Sequence, residues 1–331
     1  MKVLFIERQP ISSTSIERVF VQIAKDLEIH GIDVEFQRLP FGSRPLGILG
    51  NLLFFRPKQA DLYHLTGDGS YMILRLSPRR TIVTIHDLIG LHTRRGLRRA
   101  AIKWIFAGIA AKRARYITAV SEATREELCS HFERVKSIVR VIANPLIDGL
   151  FPISTSPTDF GTPVVLQVGT ASNKNLPRLI DALEGVDCHL RIIGRVDADT
   201  HSRIERRRVS FSSADGLSDV ELAREFENAS VVTFCSMYEG FGLPIIEAQA
   251  VGRPVVTSNI APMTAVAGAG AVFVDPLDPD SIRVGIEHVL TDQRLRERLI
   301  EAGFENIKRF RGVDIAREYA ELYSEALERN D

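Results

Sequence analysis

Short runs of β-branched and other apolar residues alternate with segments of helical periodicity from one end of the chain to the other. This alternation is typical of parallel sheets covered by helices on both faces, because parallel strands can pair only through long crossover connections. The sequence therefore predicts an α/β fold with doubly wound parallel sheets. In the first half of the chain the expected strands are residues 3–6, 32–39, 62–65, 81–85, 116–119 and 139–142.

The pattern breaks at residues 151–163, FPISTSPTDFGTP, where prolines, serines, threonines and a glycine interrupt every periodic run. The alternation then restarts, and 331 residues are more than one hydrophobic core usually sustains. We therefore expect two Rossmann-like domains, residues 1–150 and 164–312, joined by a linker over 151–163. The expected strands of the second domain are residues 164–169, 188–194, 208–211, 230–235, 254–258 and 271–274.

Ligands of open α/β sheets bind beyond the carboxyl ends of the strands. Two such sheets that face each other would form a cleft between the domains, and we expect the chemistry there. The loops to inspect are those that follow the strands, at residues 7–15, 66–70, 86–88, 169–175 and 236–243.

The composition excludes several classes of protein. Lys plus Arg and Asp plus Glu number 42 each, so no net charge favours nucleic acid as a partner. The three cysteines lack the spacing of a zinc site or a disulfide framework, which indicates a reducing compartment. The first apolar run is too short for a signal peptide, and no stretch approaches the roughly 20 apolar residues of a membrane span. We expect a cytoplasmic protein with at most peripheral membrane contact.

The segment SMYEGFGLPIIEAQAVGRPVVTS, residues 236–258, contains clear helix boundaries. Pro244 suits the first turn of a helix and Gly252 its C-terminal cap, so the helix is expected to begin near Leu243. Gly240 and Gly242 have no β-carbon, which lets a ligand approach the outward-pointing amides of the helix N-terminus. The segment therefore predicts a site for an anion or a sugar hydroxyl.

Two glutamates flank this helix start, Glu239 in the loop and Glu247 about one turn into the helix. Carboxylates accept two hydrogen bonds well from a vicinal diol, so a nucleotide sugar, which carries two diols, matches the pair. The alternative is that both are solvated glutamates at a helix end.

The stretch from Glu239 to Glu247 resembles the E-x7-E signature of retaining GT-B glycosyltransferases, the nucleotide-sugar group numbered family 4. Other motifs resemble that family in the same order along the chain: TIHDL at 84–88, TAVSEATREEL at 118–128, VIANP at 141–145, VGT at 168–170, Lys174-Asn175 and VDPLDPDSI at 274–282. The match is highly specific in the C-terminal half and looser in the N-terminal half. It implies the GT-B fold, with a final helix over 313–331 that crosses back to the first domain.

The resemblance also implies a role for each matching residue. Glu247 would hold the ribose hydroxyls, Glu239 would face the transferred sugar, and Lys174 would neutralise the diphosphate. His86 would lie near the sugar, so His86, Glu239 and Lys174 are the expected catalytic residues. The donor would be bound by Gly169, Thr170, Lys174, Gly240, Phe241, Gly242, Leu243 and Glu247. From the residues alone, His86 could equally be a histidine that closes a loop after a strand.

The sequence departs from the family in two places. Ser12, Ser13, Thr14 and Ser15 stand where a glycine pair is usual in the first loop. Thr170 and Asn173 occupy positions where an arginine is common. The diphosphate charge would then be met by Lys174 alone, or with Arg195 or Arg8.

No cofactor and no metal is expected. Asp197-Ala-Asp199 has the spacing of the metal motif of the other glycosyltransferase fold, but it opens a helix, where aspartates are ordinary caps. The three aspartates that follow the last expected strand are interpreted in the same way, as turn and cap residues: Asp275, Asp278 and Asp280.

Residues 94–115, RRGLRRAAIKWIFAGIAAKRAR, combine eight cations with Trp104, Ile105 and Phe106. Such a helix suits an anionic membrane surface, and the apolar stretch 45–55 lies between Arg44 and Arg56. The alternative is a domain helix whose apolar side is core and whose charges are solvated.

The sequence thus predicts a retaining, metal-independent glycosyltransferase. It would move a hexose from GDP-mannose or a UDP-sugar to a glycan or lipid-linked acceptor, in cell-surface polysaccharide or lipopolysaccharide assembly. The alternative is a catalytically weak protein of the same fold that binds nucleotide sugar as a regulatory or partner subunit. A nicotinamide-dependent dehydrogenase is disfavoured, because no GxGxxG follows the first strand of either half.

Overall fold

The computed structural model describes residues 1–9, 15–93, 96, 103–147, 149 and 161–328. The chain forms two compact units, one of Met1–Ile147 with Phe310–Asp331 and the other of Asp148–Arg309. Most of the predicted linker, residues 151–160, and the first-loop residues 10–14 lie outside the described residues.

The first unit contains a six-stranded parallel sheet in the order β2-β1-β3-β4-β5-β6. Its strands are β1 Lys2–Glu7, β2 Asp33–Arg38, β3 Leu62–Leu65, β4 Thr81–Ile85, β5 Tyr116–Ala119 and β6 Val139–Val141. Its helices are α1 Ser15–Leu27, α2 Pro45–Phe54, α3 Ile89–Thr93, α4 Ile109–Arg113, α5 Glu122–His131 and the C-terminal helix, Gly312–Glu328. Short 3-10 helices lie at Ser70–Leu74, Pro78–Arg80 and Glu133–Ser137, and a π-helix lies at Trp104–Gly108.

The C-terminal helix packs against α1 in the first unit. Its Tyr323 hydroxyl lies 2.7 Å from Nδ1 of His64, and Nε2 of the same ring lies 2.7 Å from Thr84 Oγ1. Burial, together with the nearby charge of His86, lowers the pKa of His64 to about 3. The ring is therefore a neutral, doubly hydrogen-bonded part of the core, and it connects the sheet to the C-terminal helix.

The second unit contains another six-stranded parallel sheet, in the order β12-β11-β10-β7-β8-β9. Its strands are β7 Val164–Val168, β8 His189–Ile193, β9 Ser210–Ala214, β10 Val231–Phe234, β11 Val255–Ser258 and β12 Ala271–Val274. Its helices are α6 Leu176–Ala182, α7 Ala198–Arg207, α8 Asp219–Glu227, α9 Leu243–Ala250, α10 Met263–Ala267, α11 Pro279–Thr291 and α12 Gln293–Ile307. The C-terminal helix is therefore α13.

The predicted fold class is confirmed, because every strand pair in both sheets is parallel and helices connect the strands. Strands buried on both faces, such as β1 and β10, are continuous apolar runs in the sequence, so they could be predicted. The strand expected at residues 208–211 is wrong by two residues. Arg208 adopts a left-handed conformation at the end of α7 and the Val209 amide closes onto Ile204, so β9 begins only at Ser210.

Each sheet contains one point where the strand order reverses. In the first unit it lies between β1 and β3, and in the second between β7 and β10. Loops that leave neighbouring strands at such a point diverge to opposite faces and leave a crevice between them, which is where doubly wound sheets bind ligands.

Candidate functional site

The site of the second unit is built from the loops that follow β7 and β10. The β7 loop runs from Gly169 to Asn175 and contains a 3-10 helix, Ser172–Lys174. Its last residue, Asn175, adopts a left-handed conformation with φ 61°. Asn175 Nδ2 donates to the carbonyl oxygens of Cys235, at 3.0 Å, and Pro276, at 2.6 Å. The buried side-chain amide of Asn175 therefore holds together the loops that follow β7, β10 and β12.

A second set of hydrogen bonds joins the two loops directly. The backbone amide of Met237 donates to Asn173 O at 2.8 Å, and Asn173 Nδ2 donates to Tyr238 O at 3.0 Å. Asn173 Nδ2 also lies 3.1 Å from Glu239 Oε1. Asn173 is thus a bridge that holds the backbone and the carboxylate of the β10 loop.

Lys174 and Glu239 form an ion pair across this crevice. Lys174 Nζ lies 2.7 Å from Glu239 Oε1, and their side chains are only 19% and 13% exposed. The ammonium also lies 4.6 Å from the ring centroid of Phe234, within the range of a cation–π contact. Two opposite charges that are shielded from water attract each other more strongly than a solvated pair on the surface.

Two glycines are required by this geometry. Gly169 has φ 89°, and a β-carbon there would lie 3.1 Å from Lys174 Cε. Gly242 has φ 114° as the N-cap of α9, and Pro244 occupies the first turn. The helix therefore starts at Leu243, where the sequence predicted it. Gly240, Phe241 and Gly242 are all buried against this start.

Glu247 lies in the second turn of α9 and is only 4% exposed. Glu239 is ion-paired and mostly shielded. The alternative that both are solvated helix-end glutamates is therefore wrong. Carboxylates are rarely buried to this extent without a structural or ligand-binding reason.

The other residues predicted to contact the donor near the β7 loop differ in how exposed they are. Thr170 packs its side chain against Gly194, where a β-carbon would lie within 3.1 Å of it. Arg195, the next residue, is 87% exposed and pairs loosely with Asp215 at 3.5 Å. Arg195 is therefore an exposed cation, whereas Lys174 is shielded.

Sequence reasoning missed the roles of three polar residues in the loops that follow β7 and β10. It assigned no role to Asn173 or Asn175 as loop bridges, and it passed over Ser236. The Ser236 hydroxyl is buried and has no hydrogen-bond partner among the described residues. A signal was present for Asn175, since asparagine tolerates the left-handed conformation and precedes a helix with proline in its first turn.

The reversal point of the first unit has its own ion pairs. Arg8, after β1, lies 2.7 Å from Asp68 Oδ2 and 3.3 Å from Glu17 Oε1. Asp68 belongs to the loop after β3. Arg8 therefore already has two carboxylate partners, which makes it a poorer candidate for a diphosphate than Lys174.

His86 follows β4, as predicted, and is half-buried. Its Nε2 lies 2.8 Å from Thr66 O, so this nitrogen carries the proton, because a carbonyl oxygen only accepts. Burial lowers the pKa of His86, and this effect exceeds the opposing effect of the bond to Thr66. The ring is therefore neutral near pH 7, and the lone pair is on Nδ1.

Two of the aspartates interpreted as turn or cap residues are helix N-caps, and a third lies in a turn. Asp197 is the N-cap of α7 and accepts from the Thr200 amide at 2.8 Å. Asp278 is the N-cap of α11, and Asp275 accepts from the Leu277 amide. Within the described residues, no cluster of three His, Cys, Asp or Glu side chains could hold a metal ion.

Residues 94–95 and 97–102 of the basic segment 94–115 lie outside the described residues. In the described part, Ala107, Ala110 and Ala111 belong to the core, as the domain-helix alternative predicts. Trp104 is exposed. None of the helices in the described part of the chain combines the length and the apolar character needed to cross a bilayer.

Two family models match the chain. Residues 155–306 match "Glycosyl transferases group 1", and residues 25–147 match "Glycosyltransferase Family 4". Together these two matches include more than four fifths of the chain.

Curated relatives agree with the family models. An uncharacterised glycosyltransferase of Methanocaldococcus jannaschii is 28% identical over 239 residues, which are 64% of this chain and 60% of that protein. O-antigen chain mannosyltransferase B of Escherichia coli is 38% identical over 92 residues, or 28% of this chain and 24% of that protein. The matched region thus spans less than two thirds of either relative.

Solved structures share the whole fold. HepE of Anabaena, solved with UDP-glucose and with UDP and glucose, superposes with a TM-score of 0.79 at 20% identity. The superposition covers 98% of this chain and 100% of that one. At this identity the likeness establishes the fold alone.

Proposed function

Because the chain belongs to the group 1 glycosyltransferases and has their GT-B fold, we propose that it transfers a hexose from a nucleotide-diphosphate sugar to a glycan or lipid-linked acceptor. The observation that supports this most directly is the shielded Lys174–Glu239 pair at the β7/β10 reversal point, which is followed by the helix that contains the buried Glu247. Lys174 is the proposed cation for the diphosphate, and the two glutamates are the proposed acceptors for the diols.

The proposed contacts follow the order of groups in the donor. Glu247 accepts from the two ribose hydroxyls, and Glu239 accepts from hydroxyls of the transferred sugar. The amides near Phe241, Gly242 and Leu243 approach sugar hydroxyls or phosphate, which the absence of β-carbons at Gly240 and Gly242 permits. Gly169 and Thr170 form the other wall of the donor site.

Lys174 has two partners in this proposal. In this structure it pairs with Glu239, and in the donor complex it pairs with the diphosphate, whose leaving-group charge it stabilises. The flexible stem of lysine allows this exchange without movement of the backbone. The Glu239 carboxylate is then released to bind the sugar.

We propose that transfer retains the anomeric configuration. The nucleoside diphosphate leaves from the face that the acceptor attacks, and the departing phosphate takes the acceptor proton. The protein then needs no covalent nucleophile and no metal, and its tasks are to position both reactants and to stabilise the leaving group.

His86 contributes as a neutral ring in this scheme. With Nε2 donating to Thr66, Nδ1 can accept a hydrogen bond from a sugar hydroxyl. A positively charged ring would not offer that acceptor, and burial disfavours that form.

GDP-mannose and UDP-hexoses are the proposed donors, since one relative is named a mannosyltransferase and one structural neighbour was solved with UDP-glucose. Assembly of a cell-surface polysaccharide or lipopolysaccharide on the cytoplasmic side of the membrane is the proposed setting. Contact of the basic segment 94–115 with an anionic membrane is part of this proposal, with no nucleic acid as a partner.

A second candidate function is a regulatory or partner subunit that binds nucleotide sugar without efficient turnover. Asn173 favours it, because it replaces the arginine common in the family and leaves Lys174 as the fixed cation of its loop. Slow release of nucleoside diphosphate from the donor in the absence of acceptor distinguishes the two, because only an active transferase produces it.

The decisive experiment is a thermal-shift screen against UDP, GDP, ADP and their sugars, followed by donor hydrolysis and product NMR with the best ligand. Glu247→Ala should abolish the shift given by the donor. The matched control is Glu301→Ala, an exposed glutamate on α12, which should behave as the wild type. Unchanged donor affinity and turnover in Glu247→Ala would overturn the proposed function.

A further inference from the structure

A glutamine lies in the interior of the second sheet, close to the end of β7. Gln167 is only 1% exposed, and it is in register with Thr233 on β10, which is fully buried. These two strands are the pair between which the strand order reverses. Burial of an amide costs free energy unless its hydrogen bonds are made, so the partners of Gln167 indicate what its side chain does.

The side-chain amide of Gln167 joins the start of the β7 loop to its lysine. Its Nε2 donates to the carbonyl oxygen of Gly169 at 3.2 Å and to that of Lys174 at 3.3 Å. Its Oε1 lies 3.3 Å from the hydroxyl of Thr233, which also donates to Leu166 O at 3.0 Å. The amide therefore ties two backbone points of the loop to the sheet, and β10 in turn supports the amide.

The Lys174 side chain is bounded by residues beside this amide. Its stem passes Gly169, where a β-carbon would lie 3.1 Å from Lys174 Cε and 3.3 Å from Cγ. Its ammonium lies 4.6 Å from the ring centroid of Phe234, the residue that follows Thr233. The backbone and the stem of the lysine are thus both held by residues at the base of the crevice.

Lys174 is the one cationic residue in the sequence of the β7 loop, residues 169–175. A long side chain loses conformational freedom when it binds a ligand, and this cost falls when the protein already holds the side chain in place. A displaced Lys174 could not be replaced by another cation of the same loop. The position of this single residue therefore determines how much positive charge the loop can offer to an anion.

We propose that Gln167 is a positioning residue of the donor site, whose side-chain amide holds Lys174 where it meets the diphosphate of the nucleotide sugar. This role rests on the proposed function, because it requires Lys174 to bind the diphosphate. Gln167 is shielded from solvent and acts through the lysine. A purely structural amide would contribute to stability alone, whereas a positioning amide also contributes to the affinity for the diphosphate.

Gln167→Met removes the amide and keeps a side chain of similar length in the sheet interior. UDP or GDP should bind about 5- to 10-fold more weakly in calorimetry, because the hydrogen bonds that hold the Lys174 backbone are lost. Binding of the matching nucleoside, uridine or guanosine, should not change, as measured by ligand-observed NMR. An equal loss of affinity for the nucleoside would indicate a general disturbance of the site and overturn the proposal.

Gln249→Met is the matched control, because Gln249 is another buried glutamine of the second unit. Its amide donates to Ala267 O at 2.9 Å and Gly270 O at 3.2 Å, just before β12 begins, at the end of the sheet opposite the crevice. Urea unfolding should show a loss of stability in both variants, whereas the affinity for the diphosphate should fall only in Gln167→Met. If both variants lose affinity equally, the effect follows from stability and Gln167 has no positioning role.

A double-mutant cycle with Lys174→Gln tests whether Gln167 acts through the lysine. If it does, Gln167→Met should change the affinity by less than about twofold once the ammonium is absent, and a loss of the same size in both backgrounds would refute the role. Undiminished affinity in Gln167→Met, with a loss in Lys174→Gln, would refute the role of Gln167 and leave the proposed function intact. Undiminished affinity in Lys174→Gln would instead overturn the diphosphate contact itself, and the role of Gln167 with it.

Thr233→Val is the second variant, used if Gln167→Met does not fold. Valine has a shape similar to that of threonine but lacks the hydroxyl at Gln167 Oε1, so the amide loses its support from β10. The affinity for the diphosphate should fall by about threefold, and only when Lys174 is present. An unchanged affinity in Thr233→Val would contradict the proposed role of the amide.

Discussion

Lys174 Nζ and Glu239 Oε1 lie 2.7 Å apart, although 65 residues separate them in the chain. The pair closes the reversal point between β7 and β10, the place where a doubly wound sheet binds its ligand. The two residues proposed to bind the diphosphate and the sugar therefore pair with each other in this structure. In the proposed complex, the diphosphate competes with Glu239 for Lys174. This competition determines the effects expected of variants at the two positions.

Lys174→Gln should weaken the binding of UDP or GDP by about 10- to 100-fold. A hydrogen bond between charged groups contributes about 1.5–3 kcal/mol, and the variant removes the charge from the proposed diphosphate contact. Isothermal titration calorimetry measures the loss. Arg191→Gln, which disrupts a pair with Glu225 elsewhere in the same unit, is the control and should bind as the wild type. Undiminished affinity in Lys174→Gln would exclude the proposed contact.

Glu239→Gln should separate binding from turnover. The variant removes the competitor for Lys174, so the affinity for nucleoside diphosphate should stay equal or rise. Transfer and donor hydrolysis should fall by about 100-fold, because the sugar loses a charged acceptor positioned in the site. Calorimetry with UDP or GDP and single-turnover kinetics measure the two quantities. Weaker nucleotide binding in this variant would show that the ion pair does not compete with the ligand.

Asn173→Arg should restore the second cation that is common in the family. With two positive charges in the β7 loop, the affinity for nucleoside diphosphate should rise by about tenfold. Asn173→Ala is the control, since it also breaks the bonds to Tyr238 and Glu239 but adds no charge. If both variants bind nucleotide equally, the arginine position has no electrostatic role in this chain.

Gly169→Ala should cost both stability and donor affinity. A left-handed φ of 89° disfavours alanine by about 1–2 kcal/mol, and the new β-carbon would push against Lys174 Cε. Gly185→Ala is a matched control, because Gly185 has φ 77° and open space around it. Urea unfolding should show a loss in both variants, whereas nucleotide affinity should fall only in Gly169→Ala.

Acid should destabilise the first unit through His64. The pKa of His64 in the folded chain, about 3, lies below the ordinary value of 6.5. Between these two pH values, His64 is therefore protonated in the unfolded chain and neutral in the folded chain. Stability is therefore greatest above pH 6.5 and falls as the pH drops, by up to about 1.4 kcal/mol per pH unit. Unfolding in urea at several pH values should give a shallower slope in His64→Asn, but an unchanged slope in a variant of exposed His30. Equal slopes in wild type and His64→Asn would contradict this account.

Several features of the fold could be predicted because they depend on local chemistry. Buried strands such as β3, β4 and β5 were predicted with their observed bounds, since each is a short apolar run between polar turns. The start of α9 was predicted from Pro244 in its first turn for the same reason. The start of β9 was not predicted correctly. It depends on the left-handed conformation of Arg208 at the end of α7, and an arginine does not indicate that conformation in the sequence.

The candidate site was predicted only in its parts. The residues Glu239, Glu247 and Lys174 stood out because they match a family motif, and burial of Glu247 then excluded the solvated alternative. The bridging roles of Asn173 and Asn175 were not predictable from their own neighbours, because their partners lie more than 50 residues away. The apolar stretch 45–55 stood out in the sequence, but which of its side chains are exposed depends on how α2 packs.

The sequence by itself therefore determined the alternation of strands and helices, the two-domain organisation and the positions of the helix starts, all of which depend on residues close together in the chain. Only the tertiary structure decided that Lys174 meets Glu239 and that α2 turns leucines outward. The physical reason is that strand order and helix packing are set by the burial of whole elements against one another. A pairing between distant loops follows from that packing and has no local signature.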